Sequence, residues 1–334
     1  MLSDPTPSLR LLPLRRLSLR PSRTSISALL LTAALAGLPA AHAMGLEVQS
    51  ATTCAAAVSP SPPRQPLPAQ AAERIPDSQA TAGRNHIAWA WFANPTLRYP
   101  HGALGAKTHA ASLHAMVDDG RGGWALISVE LPLNRVFEDR VPRLVDLDGD
   151  GNDEILVIEA DALQGAALVV WGVEPGRAAG DAPRLVRRAT GPYAGSTFRW
   201  LNPVGVADFD GDGRVDVASV TTPHIGGTLT LHHYRPPHLV PFAKAMDVSN
   251  HRMGALEQDL AVIIDQPGQR PTIVVPDMSQ RALHALRWEA PGQWKELANL
   301  VPLAARVDRL DLRSDGTACA TLTDQSQTRI RLTH

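Results

Sequence analysis

The stretch "VDLDGDGNDEILVIEAD" at residues 145–161 places carboxylate or amide oxygens at every second position and then turns abruptly apolar. That spacing turns successive oxygens toward one point, the arrangement a hard cation requires. An EF-hand would need a bidentate Glu at the twelfth position, on a following helix. Counting from Asp146, the twelfth residue is Val157, and the segment "EILVIEA" is short and β-branched. A helical calcium switch is excluded, and the loop reads as a connection between two strands.

The motif recurs. "VADFDGDGRVDVASV" at 206–220 superimposes on "LVDLDGDGNDEILVI" at 144–158, with Asp208 falling 62 residues after Asp146 (208 − 146). Its twelfth position is Ser219, which chelates no better than Val157. A strand follows each loop, and Gly165 and Gly227 then sit at the same offset of 19 residues (165 − 146 and 227 − 208). Matching flanks make this a true repeat of about 60 residues. A third copy, "LAVIIDQPGQRPTIVVPD" at 260–277, keeps strand, Gly-containing turn and strand but lacks the alternating carboxylates. A fourth, "ARVDRLDLRSDGTACATLTD" at 305–324, is weaker, and "THAASLHAMVDDGRGGWALISVELP" at 108–132 reads as a hairpin of the same scale.

Short β-like runs broken by Gly, Pro, Asp and Asn fill residues 84–334, among them His86–Phe92, Trp124–Leu131, Glu154–Ala160, Ala167–Val173, Thr228–Tyr234, Thr272–Val275 and Thr328–Leu332. No stretch keeps a 3.6-residue stripe, so the fold class is all-β. Repeats of this size favour a β-propeller of about five four-stranded blades over a sandwich. An N-terminal strand, with His86–Phe92 as the candidate, is expected to close the last, shortened blade, because an open sheet edge must be paired.

In each loop the ninth position supplies the anion that the twelfth lacks. Asp146, Asp148, Asp150 and Glu154 form the first expected ligand set, with the backbone carbonyl of Asn152. Asp208, Asp210, Asp212 and Asp216 form the second, with the backbone carbonyl of Arg214, where any side chain is tolerated. A demand for six or more oxygens suits Ca2+ better than Mg2+. Two calcium ions are expected, and with four carboxylates per loop repelling one another, binding should couple to folding.

These loops resemble the FG-GAP or VCBS repeat, the integrin-α-type propeller blade whose loops read D-x-D-G-D-G-x-x-D. The second loop matches throughout, and the first departs only in Glu154. The resemblance implies that each calcium holds a tight hairpin between two strands of a blade.

The first 43 residues read as an export signal: Arg10, Arg15, Arg16, Arg20 and Arg23 precede the apolar run from Ile26 to Leu38, which ends in Ala41-His-Ala43. The run is short for a membrane span. A retained anchor and a mitochondrial presequence are the competing readings. Arg15-Arg16-Leu-Ser-Leu is a partial match to a twin-arginine signal. Residues 44–83 are rich in Ala and Pro ("SPSPPRQPLPAQAAERIP") and read as a disordered linker. The expected division is therefore signal 1–43, linker 44–83 and propeller 84–334, in a periplasmic or secreted protein with no membrane span after cleavage. Export would permit a disulfide between the two cysteines, Cys54 and Cys319; two independent thiols are the alternative.

With 32 basic and 33 acidic residues the chain offers no electrostatic case for nucleic acid. Standard hydrolase, zincin and nucleotide-binding motifs are absent. "RYPHGALG" (98–105), "TTPHIGGTL" (221–229) and "VSNHRMGAL" (248–256) each place a His shortly before Gly and Leu. If the repeats align, His101, His224 and His251 face one end of an axial channel, with Arg98, Arg199 and Asn250 nearby. The expectation is a monomeric, non-catalytic calcium-binding module for a protein or polysaccharide ligand. The alternative is an envelope enzyme whose site is that histidine-lined channel.

Overall fold

Runs of Val, Ile, Leu and Thr separated by Gly-, Pro- and Asp-rich turns leave each segment too short for a helix and suited to a pleated, buried surface. The computed structural model describes residues 45–51, 54–59, 62–176, 181–290, 292–297 and 300–333. The proposed signal segment lies outside the described residues. Among the described residues the architecture is all-β, and no helix is long and apolar enough to cross a membrane.

Strand β1 (Gly45–Ala51) comes first in the chain, followed by a 3-10 turn at Ala69–Glu73. Four strands then form an antiparallel meander: β2 (Thr81–Ala82), β3 (Ile87–Thr96), β4 (His109–Asp118) and β5 (Trp124–Glu130). A short β6 (Arg135–Phe137) bridges to the next meander, β7 (Arg143–Val145), β8 (Glu154–Asp161), β9 (Gly165–Glu174) and β10 (Arg184–Thr190). The third is β11 (Leu201–Ala207), β12 (Asp216–Thr221), β13 (Thr228–Arg235) and β14 (His238–Met246). The fourth is β15 (Val262–Ile264), β16 (Thr272–Pro276), β17 (Ala282–Ala290) and β18 (Gln293–Glu296), with β19 (Val301–Pro302) also on β17. The last comprises β20 (Val307–Leu312), β21 (Ala318–Leu322) and β22 (Gln327–Thr333), and β1 completes it by pairing along the whole of β22, from Gly45–Thr333 to Ala51–Gln327.

The two-residue side-chain period lets a central strand serve two cores at once. In β8, Ile155 and Val157 pack with Phe92 and Leu113 of the first meander and Phe137 of β6. Leu156 and Ile158 pack on the opposite face with Leu201 and Val217 of the third. The third and fourth meanders meet through Val220, Leu231, Ile273 and Trp288, and the fourth and fifth through Ile264, Val274, Leu310 and Ile330. Each fully buried aliphatic chain of this kind contributes roughly 1.5–3 kcal/mol. The interleaved burial makes neighbouring meanders interdependent.

Two expectations need correction. The strand at the expected His86–Phe92 position is β3, inside the first meander; the N-terminal strand that completes the last one is β1. The stretch 44–83, expected as a disordered linker, supplies β1, the 3-10 turn and β2. Its described part also runs from the fifth meander to the first. Cys54 is disulfide-bonded to Cys319, and Ala56 and Val58 hydrogen-bond to Ser314 and Leu312. Further on, the Trp89 indole N–H donates to the Gln65 carbonyl, and Ile75 N–H donates to the Phe92 carbonyl. Closely spaced prolines disfavour ladder formation within their own segment, yet an extended chain can still lie across another sheet through isolated backbone bonds.

The repeated glycines have a shared cause. A Cβ on Gly165 would run into the backbone carbonyls of Ser196 and Arg199, and one on Gly227 into that of Val248. In both repeats, chain leading toward the next meander crosses directly over the turn between second and third strands.

Candidate metal loops and a histidine face

The first acidic loop joins β7 to β8, and the second joins β11 to β12. In both, glycines at the fourth and sixth positions take the left-handed region: Gly149 (φ 78°) and Gly151 (φ 89°), Gly211 (φ 73°) and Gly213 (φ 83°). This folds the chain around its own first aspartate. Asp146 accepts the N–H groups of Gly149 at 2.7 Å and Gly151 at 2.9 Å. Asp208 accepts those of Asp212 at 3.0 Å and Gly213 at 2.9 Å. The ninth-position carboxylate is held from behind: Glu154 accepts the Leu147 N–H at 2.9 Å, and Asp216 accepts the Phe209 N–H at 3.2 Å.

The result is two equivalent groups. Oxygens of Asp146, Asp148 and Glu154 lie within 4.8 Å of one another, as do those of Asp208, Asp210 and Asp216. Asp150 falls outside the first group and accepts the Asn152 N–H at 2.7 Å; Asp212 accepts the Arg214 N–H at 2.9 Å. Such donor sets fit a hard divalent cation, because each brings oxygens of three carboxylates together. Burial pushes the Glu154 carboxyl up to about 7, with Asp148, Asp150 and Asp146 adding to the effect against the opposing Leu147 hydrogen bond. Burial likewise raises Asp216 to about 6, opposed by His233 and reinforced by Asp210.

His233 was not legible in the sequence. It faces Asp216 across the β12–β13 ladder, with Nδ1 3.0 Å from Asp216 Oδ1 and Nε2 3.8 Å from Asp210 Oδ2. Asp210, Asp212 and His233 form a third potential ligand group, and Arg235 pairs with Asp212 at 3.3 Å. The first loop has no histidine at the equivalent place: Ile155 pairs with Trp171, so the next place along β9 is Gly172, over which Arg188 lies. The hairpin register is the signal that would have found His233.

The three histidines sit on connections at the strand ends opposite the acidic loops. His101 follows β3, His224 lies between β12 and β13, and His251 lies between β14 and β15. His224 Nε2 is 2.8 Å from His251 Nδ1, and His251 Nε2 lies 3.1 Å from the Ala255 carbonyl. His101 joins neither directly: its Nδ1 is 2.6 Å from Oε1 of Glu138. Among the described residues no three-ligand group unites these histidines. Burial lowers His224 to about 4, with a further contribution from the charge of nearby His101, and lowers His251 to about 3, with His224 adding.

Aromatic rings wall this face. Trp200 stacks on His224 with 5.8 Å between centroids and 4° between planes, and donates its indole N–H to the Glu138 carbonyl at 3.1 Å. Phe198 stacks on His101 at 5.2 Å. It is 46% exposed and takes φ 61°, a left-handed conformation rare for a bulky side chain. The Tyr99 hydroxyl holds it there by accepting the Phe198 N–H at 2.7 Å.

Glu138 was also missed. Its side chain is fully buried, its Oε2 has no partner, and burial pushes it up to about 7 against the opposing pull of His101. Two of the three expected neighbours, Arg98 and Asn250, hold backbone carbonyls. The Arg98 guanidinium donates to the carbonyls of Arg135 and Leu131. The Asn250 amide donates to the carbonyls of Asn202 and Pro203. Comparison with models of known protein families and with curated proteins finds no match to either.

Proposed function

We propose that the chain is a calcium-stapled β-propeller of five four-stranded blades, of the kind its FG-GAP/VCBS-like loops resemble. In this reading it is exported and acts as a non-catalytic binding module for a protein or polysaccharide of the cell envelope. Five consecutive meanders, packed face to face and completed by β1 on β22, support the blade reading. The Cys54–Cys319 bridge supports a periplasmic or secreted location, where disulfides persist.

One observation carries the calcium reading. In two repeats of different sequence, backbone N–H groups seven residues upstream turn a ninth-position carboxylate toward the first and third aspartates. A turn that was merely solvated would have no reason to bury and orient that acid twice. Calorimetric titration of the metal-free chain with Ca2+ tests it: two equivalents are expected, and none would refute it.

A further inference from the structure

We propose that the junction between the second and third meanders holds a saccharide site, which takes one pyranose ring of a hydroxyl-rich glycan through Ser219, Thr230, His232 and Lys244. The site deepens the reading of the chain as a polysaccharide-binding module, on which it rests. Strand alternation puts Ser219 and Thr221 of β12 on one face with Thr228, Thr230 and His232 of β13, Ser219 lying opposite Thr230. Lys244 of β14 pairs with Thr230 and joins them. This polar face meets Leu168 of β9, and Tyr193 just past β10, across a cavity of about 210 Å3. Drug-sized ligands occupy roughly 300–1,000 Å3, so the space suits a single ring.

Two observations mark the cavity as made for a polar occupant. Ser219 falls eleven residues after Asp208, the place that Val157 holds after Asp146 (219 − 208 and 157 − 146). Val157 and its cross-strand partner Val169 are fully buried in the apolar core shared with the first meander. The repeat therefore folds with valines here, and packing alone does not call for Ser219 and Thr230. The second observation is that Ser219 is 1% exposed, yet its hydroxyl has no protein partner. An unpaired buried hydroxyl destabilises the fold, and a ligand hydroxyl in the cavity would satisfy it.

The donors and acceptors select the ligand class. A carbonyl can only accept, so His232 carries its proton on Nδ1, 3.3 Å from the Val217 carbonyl, and its Nε2 keeps a lone pair. Burial lowers this imidazole to about 4, which leaves it uncharged at neutral pH. Lys244 only donates, the serine and threonine hydroxyls do both, and among the described residues no carboxylate lines the cavity. An oxyanion without protons would set its charge against the His232 lone pair. A sugar hydroxyl can donate to that nitrogen and accept from Lys244, while Leu168, Leu201 and Pro241 offer an apolar wall to the ring C–H groups.

The test is saturation-transfer NMR on the calcium-saturated full chain, titrated with the methyl glycosides of glucose, galactose and mannose, and with inorganic phosphate as the rival probe. At least one glycoside should bind saturably, with affinity reduced about fivefold or more in Ser219→Ala and in Thr230→Val. Neither variant should melt earlier than the wild type. Glycoside binding that both variants leave unchanged overturns this site and leaves the polysaccharide reading standing. No glycoside binding, or phosphate binding in its place, overturns both. The 15N resonances of the His232 ring give a second reading on the unmodified protein: the bound glycoside should shift Nε2, and an unmoved resonance at saturation overturns the site.

Discussion

The Glu154 carboxylate accepts the backbone N–H of Leu147 at 2.9 Å, which pins the ninth residue of the first loop beneath Asp146 and Asp148. In the proposed calcium site this fixed oxygen would stand in for the twelfth-position glutamate of an EF-hand. Removing its charge while keeping its shape, in Glu154→Gln, should weaken calcium at that loop by about tenfold or more, roughly 1.4 kcal/mol. The second loop should keep its affinity, and Asp216→Asn should produce the mirror result, both read by calcium titration.

Calcium binding should release protons near pH 6. The folded-state carboxyls of Glu154 and Asp216 are raised to about 7 and about 6, above their ordinary 4.5 and 3.8. Acids raised in this way contribute stability that is present below the ordinary values and lost as pH rises through the folded ones. Calcium must displace those protons at pH 6 and needs to displace almost none at pH 8. Titrations in buffers of different ionisation enthalpy should show release of about one proton per chain at pH 6 and close to zero at pH 8.

Reduction should loosen the junction between the two ends of the chain. Cys54 and Cys319 are 265 residues apart, so their bridge closes nearly the whole described fold. In the chain-entropy account a closed loop of this length contributes about 5–6 kcal/mol. A Cys54→Ser/Cys319→Ser variant should lose most of that in denaturant unfolding, and added reductant should lower the wild type to the same midpoint while leaving the variant unchanged.

Gly227→Ala should destabilise by about 1–3 kcal/mol, because the new methyl meets the Val248 carbonyl and the crossing chain must shift. Gly102→Ala, where a Cβ has open space, is the matched control and should be nearly neutral. Equal effects in chemical unfolding would remove the explanation for the glycine repeat.

The acidic loops and most strands were legible because their signal is local: alternate oxygens, positive-φ glycines and β-branched runs all lie within a dozen residues. The expected run Glu154–Ala160 became β8 at Glu154–Asp161, and Thr228–Tyr234 became β13 at Thr228–Arg235. What failed to show was non-local. The partner of β1 is β22, at the far end of the chain, and nothing in an Ala/Pro-rich segment announces that pairing. His233 reaches Asp216 only through hairpin register, and Glu138 finds His101 only when segments on either side of β4 are brought together. The histidine motifs were visible, but their pairing was not. His224 and His251 meet directly, whereas His101 turns to a buried acid.

Thermal unfolding of the full chain with saturating Ca2+ and with chelator tests the central claim most directly. The account predicts a midpoint several degrees higher with calcium, with part of the gain lost in Asp148→Ala, part in Asp210→Ala, and all of it lost in the double variant. A midpoint indifferent to calcium in the wild type would contradict it.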